Sequence, residues 1–134
     1  MGRSQRAKGA AGERELAAVV HMHLQDVLAE RPQRNLEQTR GGGHDLTGLP
    51  YIAVECKRHE QLAVDAWWRQ ACEQAEAAGA HPVLAYRQSR KPWTFVLPWD
   101  LLSPDFADAP GYFCTDIEGF AWVYRRLYNA LEAL

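Results

Sequence analysis

The 134-residue chain has little of several things that would place it at once in a class. Cysteine is scarce: Cys56, Cys72 and Cys114 are odd in number and far apart, and no Cys-x-x-Cys pair occurs. That argues against a disulfide framework and against a zinc site built from closely paired ligands. The three thiols read as small core or near-surface residues. No apolar run reaches the ~18–20 residues of a membrane helix. The basic start Met1–Lys8 lacks the apolar stretch of a secretory signal. A cytoplasmic protein with no membrane partner is therefore expected. No internal repeat or low-complexity tract is present. An excess of basic charge is missing as well: 15 Lys and Arg against 17 Asp and Glu leave a formal charge of −2. Taken alone, that counts against a nucleic-acid partner.

What is there fits an ordinary globular chain, with 47% hydrophobic and 24% charged residues. The length suits one domain over residues 1–134. Residues 1–9 read as a mobile basic arm. Leu16, Val20, Leu24 and Val27 recur at helical spacing, which predicts a helix from Ala10 to about Glu30, ended by Pro32. Residues 34–40 suit an edge strand before the Gly41-Gly42-Gly43 turn. Asp45–Thr47 and, after a second turn at Gly48-Leu49-Pro50, the β-branched run Tyr51–Lys57 read as strands. A second helix over about Leu62–Ala78 should end at Gly79. Strands Pro82–Arg87 and Trp93–Leu97 follow, then a loop over 98–116 and a third helix from Ile117 to the end. The order is αβββαββα: an α/β domain with one mixed sheet flanked by helices.

Glu55 and Lys57 project from the same face of their strand, because strand side chains alternate. The turn before Tyr51 lets the Asp45 segment run antiparallel to it, which brings Asp45 beside Glu55. Two carboxylates and an ammonium in an apolar strand are costly without a partner. A divalent cation would resolve that cost, since magnesium takes oxygen ligands from one or two carboxylates plus water and phosphate. Asp45, Glu55 and the Cys56 carbonyl could form such a shell. Glu13 falls in the middle of the apolar stripe of the first helix, where a carboxylate needs a partner. Gln70 and Gln74, one turn apart, could line the same site. Each signal has a plainer reading: Glu55-x-Lys57 as a surface salt pair, Glu13 as a helix N-terminal carboxylate, the glutamines as solvated residues. The joint pattern is what favours a site.

Three motifs, Gly9-x-x-Gly12-Glu13-Arg14-Glu15-Leu16, Gly42-Gly43-His44-Asp45-Leu46 and Val54-Glu55-Cys56-Lys57, resemble the PD-(D/E)XK nuclease superfamily. Within it the chain is similar to archaeal-type Holliday junction resolvases, which also occur in phages. The likeness covers roughly residues 8–98 and leaves the C-terminal helix (117–134) outside the family core. It implies a restriction-endonuclease-like fold and a Mg2+-dependent endodeoxyribonuclease, with Mn2+ expected to substitute. It also implies a homodimer that cuts branched double-stranded DNA. Carried over by position, Glu13, Asp45 and Glu55 would hold the metal, Lys57 would be the catalytic lysine, and Gln74 would match a helix glutamine. One departure stands out: His44 occupies the place usually held by proline.

Phosphate contacts come mainly from Arg and Lys. The candidates cluster as Arg3, Arg6, Lys8 and Arg14 near the N-terminus, Arg34, Arg40 and Arg58 around the site, and Arg87, Arg90 and Lys91 at a strand turn. Twelve of the 15 basic residues are arginine, which suits forked phosphate contacts. Residues 61–134 carry nine acids against six bases, and residues 1–60 eight against nine, three of those eight being candidate ligands. The distribution therefore favours DNA where the total did not. Another nuclease of the same superfamily, with a repair or restriction-like role, and a non-catalytic DNA-binding module are the alternatives.

Overall fold

The run read as a central strand is observed as Ile52–Arg58, and the rest of the chain is arranged around it. The computed structural model describes residues 3–36 and 44–134, with side chains from Lys8 onward. In chain order the elements are α1 (Arg3–His23), β1 (Gln33–Arg34), β2 (Leu46–Thr47), β3 (Ile52–Arg58), α2 (Val64–Ala78), β4 (His81–Arg87), β5 (Thr94–Pro98), β6 (Tyr112–Thr115) and α3 (Ile117–Glu132). Two short 3-10 turns lie between β5 and β6. The six strands form one sheet in sequence order. β3 and β4 are parallel because α2 carries the chain back along one face, and the other neighbours are antiparallel.

β3 and β4 are covered on both faces, which explains their nearly unbroken apolar runs. On one face Val54, Val83, Ala85, Phe95 and Leu97 pack with Leu16, Val20 and Leu24 from the α1 side and with Phe120, Ala121 and Tyr124 of α3. Phe95 stacks on Phe120 with ring centres 4.5 Å apart, each ring contributing roughly 2–3 kcal/mol by burial. On the other face Leu84 and Val96 pack with Trp67 and Ala71 of α2. Gly79 ends α2 in the left-handed conformation at φ 65° and donates its N–H to the Ala75 and Glu76 carbonyls. Asp116 begins α3 by accepting the Gly119 N–H at 2.8 Å.

The structure corrects the expected elements at four places. α1 starts at Arg3, so Arg3–Gly9 are helical where a mobile arm is expected. Arg, Gln, Ala and Lys are good helix formers, and a run without large apolar residues leaves no apolar period to detect. α1 also stops at His23 rather than near Glu30. The apolar spacing continues through a turn in which Leu28 N–H meets Leu24 O at 2.8 Å. Arg125 of α3 takes the His23 carbonyl at 3.0 Å and pairs with Asp26, tying off the helix end. β1 keeps only Gln33–Arg34 of the expected edge strand, and residues 37–40 lie outside the described residues. The fourth correction is β6, found in the stretch read as loop. Tyr112–Thr115 pairs antiparallel with β5, whose open edge decides what the surrounding prolines and acids concealed. Among the described residues no helix is long and apolar enough to cross a membrane.

Candidate active site

Leu46 of β2 pairs with Val54 of β3, so one step outward Asp45 stands opposite Glu55 on the same face of the ladder. Asp45 still donates its N–H to Val54 O at 2.8 Å. Past that bond β2 has given out, and the Asp45 carboxylate takes over, accepting the Cys56 N–H through Oδ2 at 2.7 Å. The strand pairing that builds the sheet thereby fixes the orientation of the first carboxylate.

Glu55 is 2% exposed. Burial, followed by the neighbouring Asp45 charge, pushes its carboxyl from an ordinary 4.5 up to about 8, with Lys57 pulling the other way and Glu13 adding to the rise. Lys57 follows two residues later on the same strand face. Glu13 arrives from α1, itself 8% exposed, with its Oε2 3.7 Å from Arg34 Nε. Gly12 eases that approach: a Cβ at this position would lie 3.0 Å from the Arg58 Cβ, close enough that Arg58 would have to give by a few tenths of an ångström.

The structure brings Glu13, Asp45, Glu55, Cys56, Lys57 and Gln70 into one cleft of about 500 Å³, together with Lys8, Arg58 and His59. Gln74, half-buried one turn along α2, is not among its lining residues. The Cys56 thiol is pushed well up, by burial first and then by the Asp45 charge, so it remains neutral; its side chain packs against the core. His44 presents its backbone carbonyl to Asn35 Nδ2 at 2.9 Å, shaping the approach to Asp45. Among the described residues, no three His, Cys, Asp or Glu groups form a preformed metal cage. What is drawn together is a carboxylate pair, one member deeply buried, with excess negative charge. That donor set fits a hard dication completing its shell with water and phosphate better than it fits zinc.

His59 was not singled out from the sequence. Its ring lies 5.3 Å from that of Trp67 at the edge of the cleft. Burial, then the Lys57 and Lys8 charges, lower its pKa, which keeps the imidazole neutral at physiological pH. Strand alternation through Glu55, Lys57 and His59 was the available signal.

The basic residues divide into groups. Lys8 and Arg58 line the cleft and Arg87 stands beside Arg58 on β4, each already facing a carboxylate: Lys8 with Glu60 at 3.7 Å, and both arginines with Glu15. Arg90 and Lys91 lie exposed in the β4–β5 turn, where Arg90 takes φ 65°. That turn is pinned by Glu60, which accepts from the Ser89 N–H and hydroxyl. Arg14 and Arg34 instead line a separate pocket of about 370 Å³ with Arg31, Ala17, Pro32 and Leu36. Arg3 and Arg6 sit in the first turns of α1, with their side chains outside the described residues, as is Arg40 altogether. The pairings of Glu15 and Glu60 were not legible in the sequence, because their partners are distant along the chain.

Comparison with known proteins gives two findings. A protein-family model described as "Phage putative PDDEXK endonuclease" matches residues 4–119, which takes in every strand and ends at the start of α3. Among solved structures, Archaeoglobus fulgidus Hjc, a Holliday junction resolvase from an archaeal hyperthermophile, is similar at 20% identity and TM-score 0.48, over 85% of this chain and 96% of that one. No curated protein matches in sequence.

Proposed function

The chain belongs to the phage PDDEXK endonuclease family, and from that premise we propose that it is a magnesium-dependent endonuclease acting on branched DNA, four-way junctions above all. The observation that carries the reading is the Asp45–Glu55 pair, a carboxyl 2% exposed beside a second carboxylate, with Lys57 on the same face. Four-way junctions are favoured by the likeness of the Glu13, Asp45 and Glu55-x-Lys57 motifs to the archaeal-type resolvases. A junction offers two equivalent strands to cut, which suits a homodimer with two such sites.

Asp45 and Glu55 would hold the cation, with Glu13 closing the site from α1 and the Cys56 carbonyl beside them. The Asp45 carboxylate is held in place by the Cys56 N–H, which donates to its Oδ2 at 2.7 Å. A dication held there would supply Lewis-acid polarisation of the scissile phosphate and a lowered pKa for an attached water. Lys57 places its ammonium at the same face, where it orients the attacking water and offsets the charge developing on the phosphoryl oxygens. Glu55 must release its proton before it can serve as a ligand, and the Lys57 charge favours that release. Gln70, on the α2 face over the cleft, supplies an amide for water or phosphate. The basic residues at the rim hold the flanking backbone.

The test is cleavage of a labelled four-way junction, a flap and a linear duplex, each with Mg2+, with Mn2+ and with EDTA. Metal-dependent nicking of the junction ahead of the other two is expected. Equal cutting of all three would remove the junction preference. No nicking of any substrate with either metal would overturn the enzymatic reading in favour of a non-catalytic binding module.

A further inference from the structure

Two arginines, one of them in the cleft lining, converge on one acid before any substrate arrives. Arg58 ends β3, Arg87 ends β4, and the parallel register sets them side by side. From α1, Glu15 pairs with Arg87 Nη1 through Oε1, while its Oε2 lies 3.6 Å from Arg58 Nη1. The arginine side chains are 19% and 26% exposed and Glu15 36%, so the cluster is partly withdrawn from water without being sealed. Gly12 makes this possible: Arg58 passes over α1 where the helix has no Cβ and reaches Glu15 one turn further on. Arg87 is fixed from the other side by its Nε–H donating to Lys91 O at 2.7 Å. Two guanidinium groups closing on a carboxylate are equally suited to a phosphodiester, because the forked donor geometry matches both anions. Arg58 also lines the cleft that holds Asp45 and Glu55, and Arg87 is its register partner on β4, so one member of the pair is within the cleft and the other is beside it.

We propose that Glu15 is an internal stand-in for a DNA backbone phosphate, occupying the Arg58–Arg87 pair until a phosphodiester displaces it. The proposal rests on the reading of the chain as a DNA-acting protein and concerns binding, not cleavage. Each arginine–phosphate pair that forms at this place requires an arginine–carboxylate pair to break, and the displaced Glu15 charge then faces the entering strand. The exchange weakens binding to any DNA backbone and bears hardest on substrates held at few other points. Glu15 is thereby a specificity-determining residue that suppresses retention on plain duplex.

The experiment measures binding of the full chain to a fluorescein-labelled linear duplex by anisotropy, in EDTA, across a salt series. Glu15→Gln keeps the shape and removes the charge. It should bind duplex about 3- to 10-fold more tightly at low salt. The plot of log K against log salt should steepen by about 1–2, at ~0.9 for each phosphate newly neutralised. Adding Arg87→Gln to that variant should remove most of the gain. A folded Glu15→Gln protein with unchanged or weaker affinity and an unchanged salt slope would overturn the proposal and make Glu15 a structural tie between α1 and the sheet. Should Glu15→Gln fail to fold, Glu15→Asp, which draws the charge back by one methylene, is held to the same two readouts. Loss of DNA binding by native and variant chains alike would also overturn it. Binding without cleavage in Mg2+ would count against the nuclease reading alone.

Discussion

Replacing Glu55 by glutamine should flatten the pH dependence of stability in the metal-free protein. The folded chain holds the Glu55 proton up to about pH 8, whereas the ordinary carboxyl loses it near 4.5. Between those values the folded state carries a proton that the unfolded state has released, so stability falls as pH rises and levels off above about 8. Each pH unit over which the two states differ by a full proton costs about 1 kcal/mol. For a chain of this size that is roughly 3–5 °C of Tm per unit. The side chain is 2% exposed, so solvent does not screen the effect away. Tm measured by circular dichroism in EDTA from pH 5 to 9 should therefore decline in the native protein and decline less in Glu55→Gln. Magnesium should restore the native Tm, by about 3 kcal/mol at a hundred times its Kd, and more at high pH, where the proton leaves readily. It should restore the variant far less. Equal decline in both proteins, or equal rescue by magnesium, would refute the assignment of Glu55 as a buried acid that binds the metal.

Three further outcomes are expected of single substitutions. Lys57→Ala should reduce junction cleavage in Mg2+ by at least about 10²-fold, the scale of losing one charge-stabilising group, while anisotropy shows junction binding within a few-fold of native. Gly12→Ala brings a Cβ to 3.0 Å from the Arg58 Cβ, so a gain of about 1 kcal/mol in helix propensity should be offset by about 1–3 kcal/mol of crowding, leaving stability in urea unfolding unchanged or lower. Asp116→Ala removes the cap on Gly119 N–H and should cost about 1 kcal/mol with cleavage unchanged.

Much of the fold was legible because its signals are local. The β-branched Tyr51–Lys57 run, the Gly79 stop and the apolar stripe from Ile117 each mark an element within a few residues, and the structure places β3, α2 and α3 there. The errors share a cause. The N-terminal turns of α1, Arg-Ser-Gln-Arg-Ala-Lys in sequence, have no apolar period, while β6 exists only because β5 offers it an edge. The end of α1 at His23 is set by Arg125, which lies 102 positions away along the chain.

The site divides in the same manner. The sequence alone determined which groups could meet: two acids and a lysine spaced so that alternation puts Glu55 and Lys57 on one face, with Glu13 misplaced on an apolar stripe. These follow from the periods of strands and helices, which are properties of the backbone. Tertiary structure alone decided how strongly the acids act on one another, since Glu55 titrates high only because the sheet buries it opposite Asp45. It also decided which cations are already engaged. Net charge and clustering along the chain count Arg58 and Arg87 simply as bases; only the packing of Gly12 against β3 brings Glu15 between them. Charge interactions depend on distance and burial, and neither is written in the order of residues.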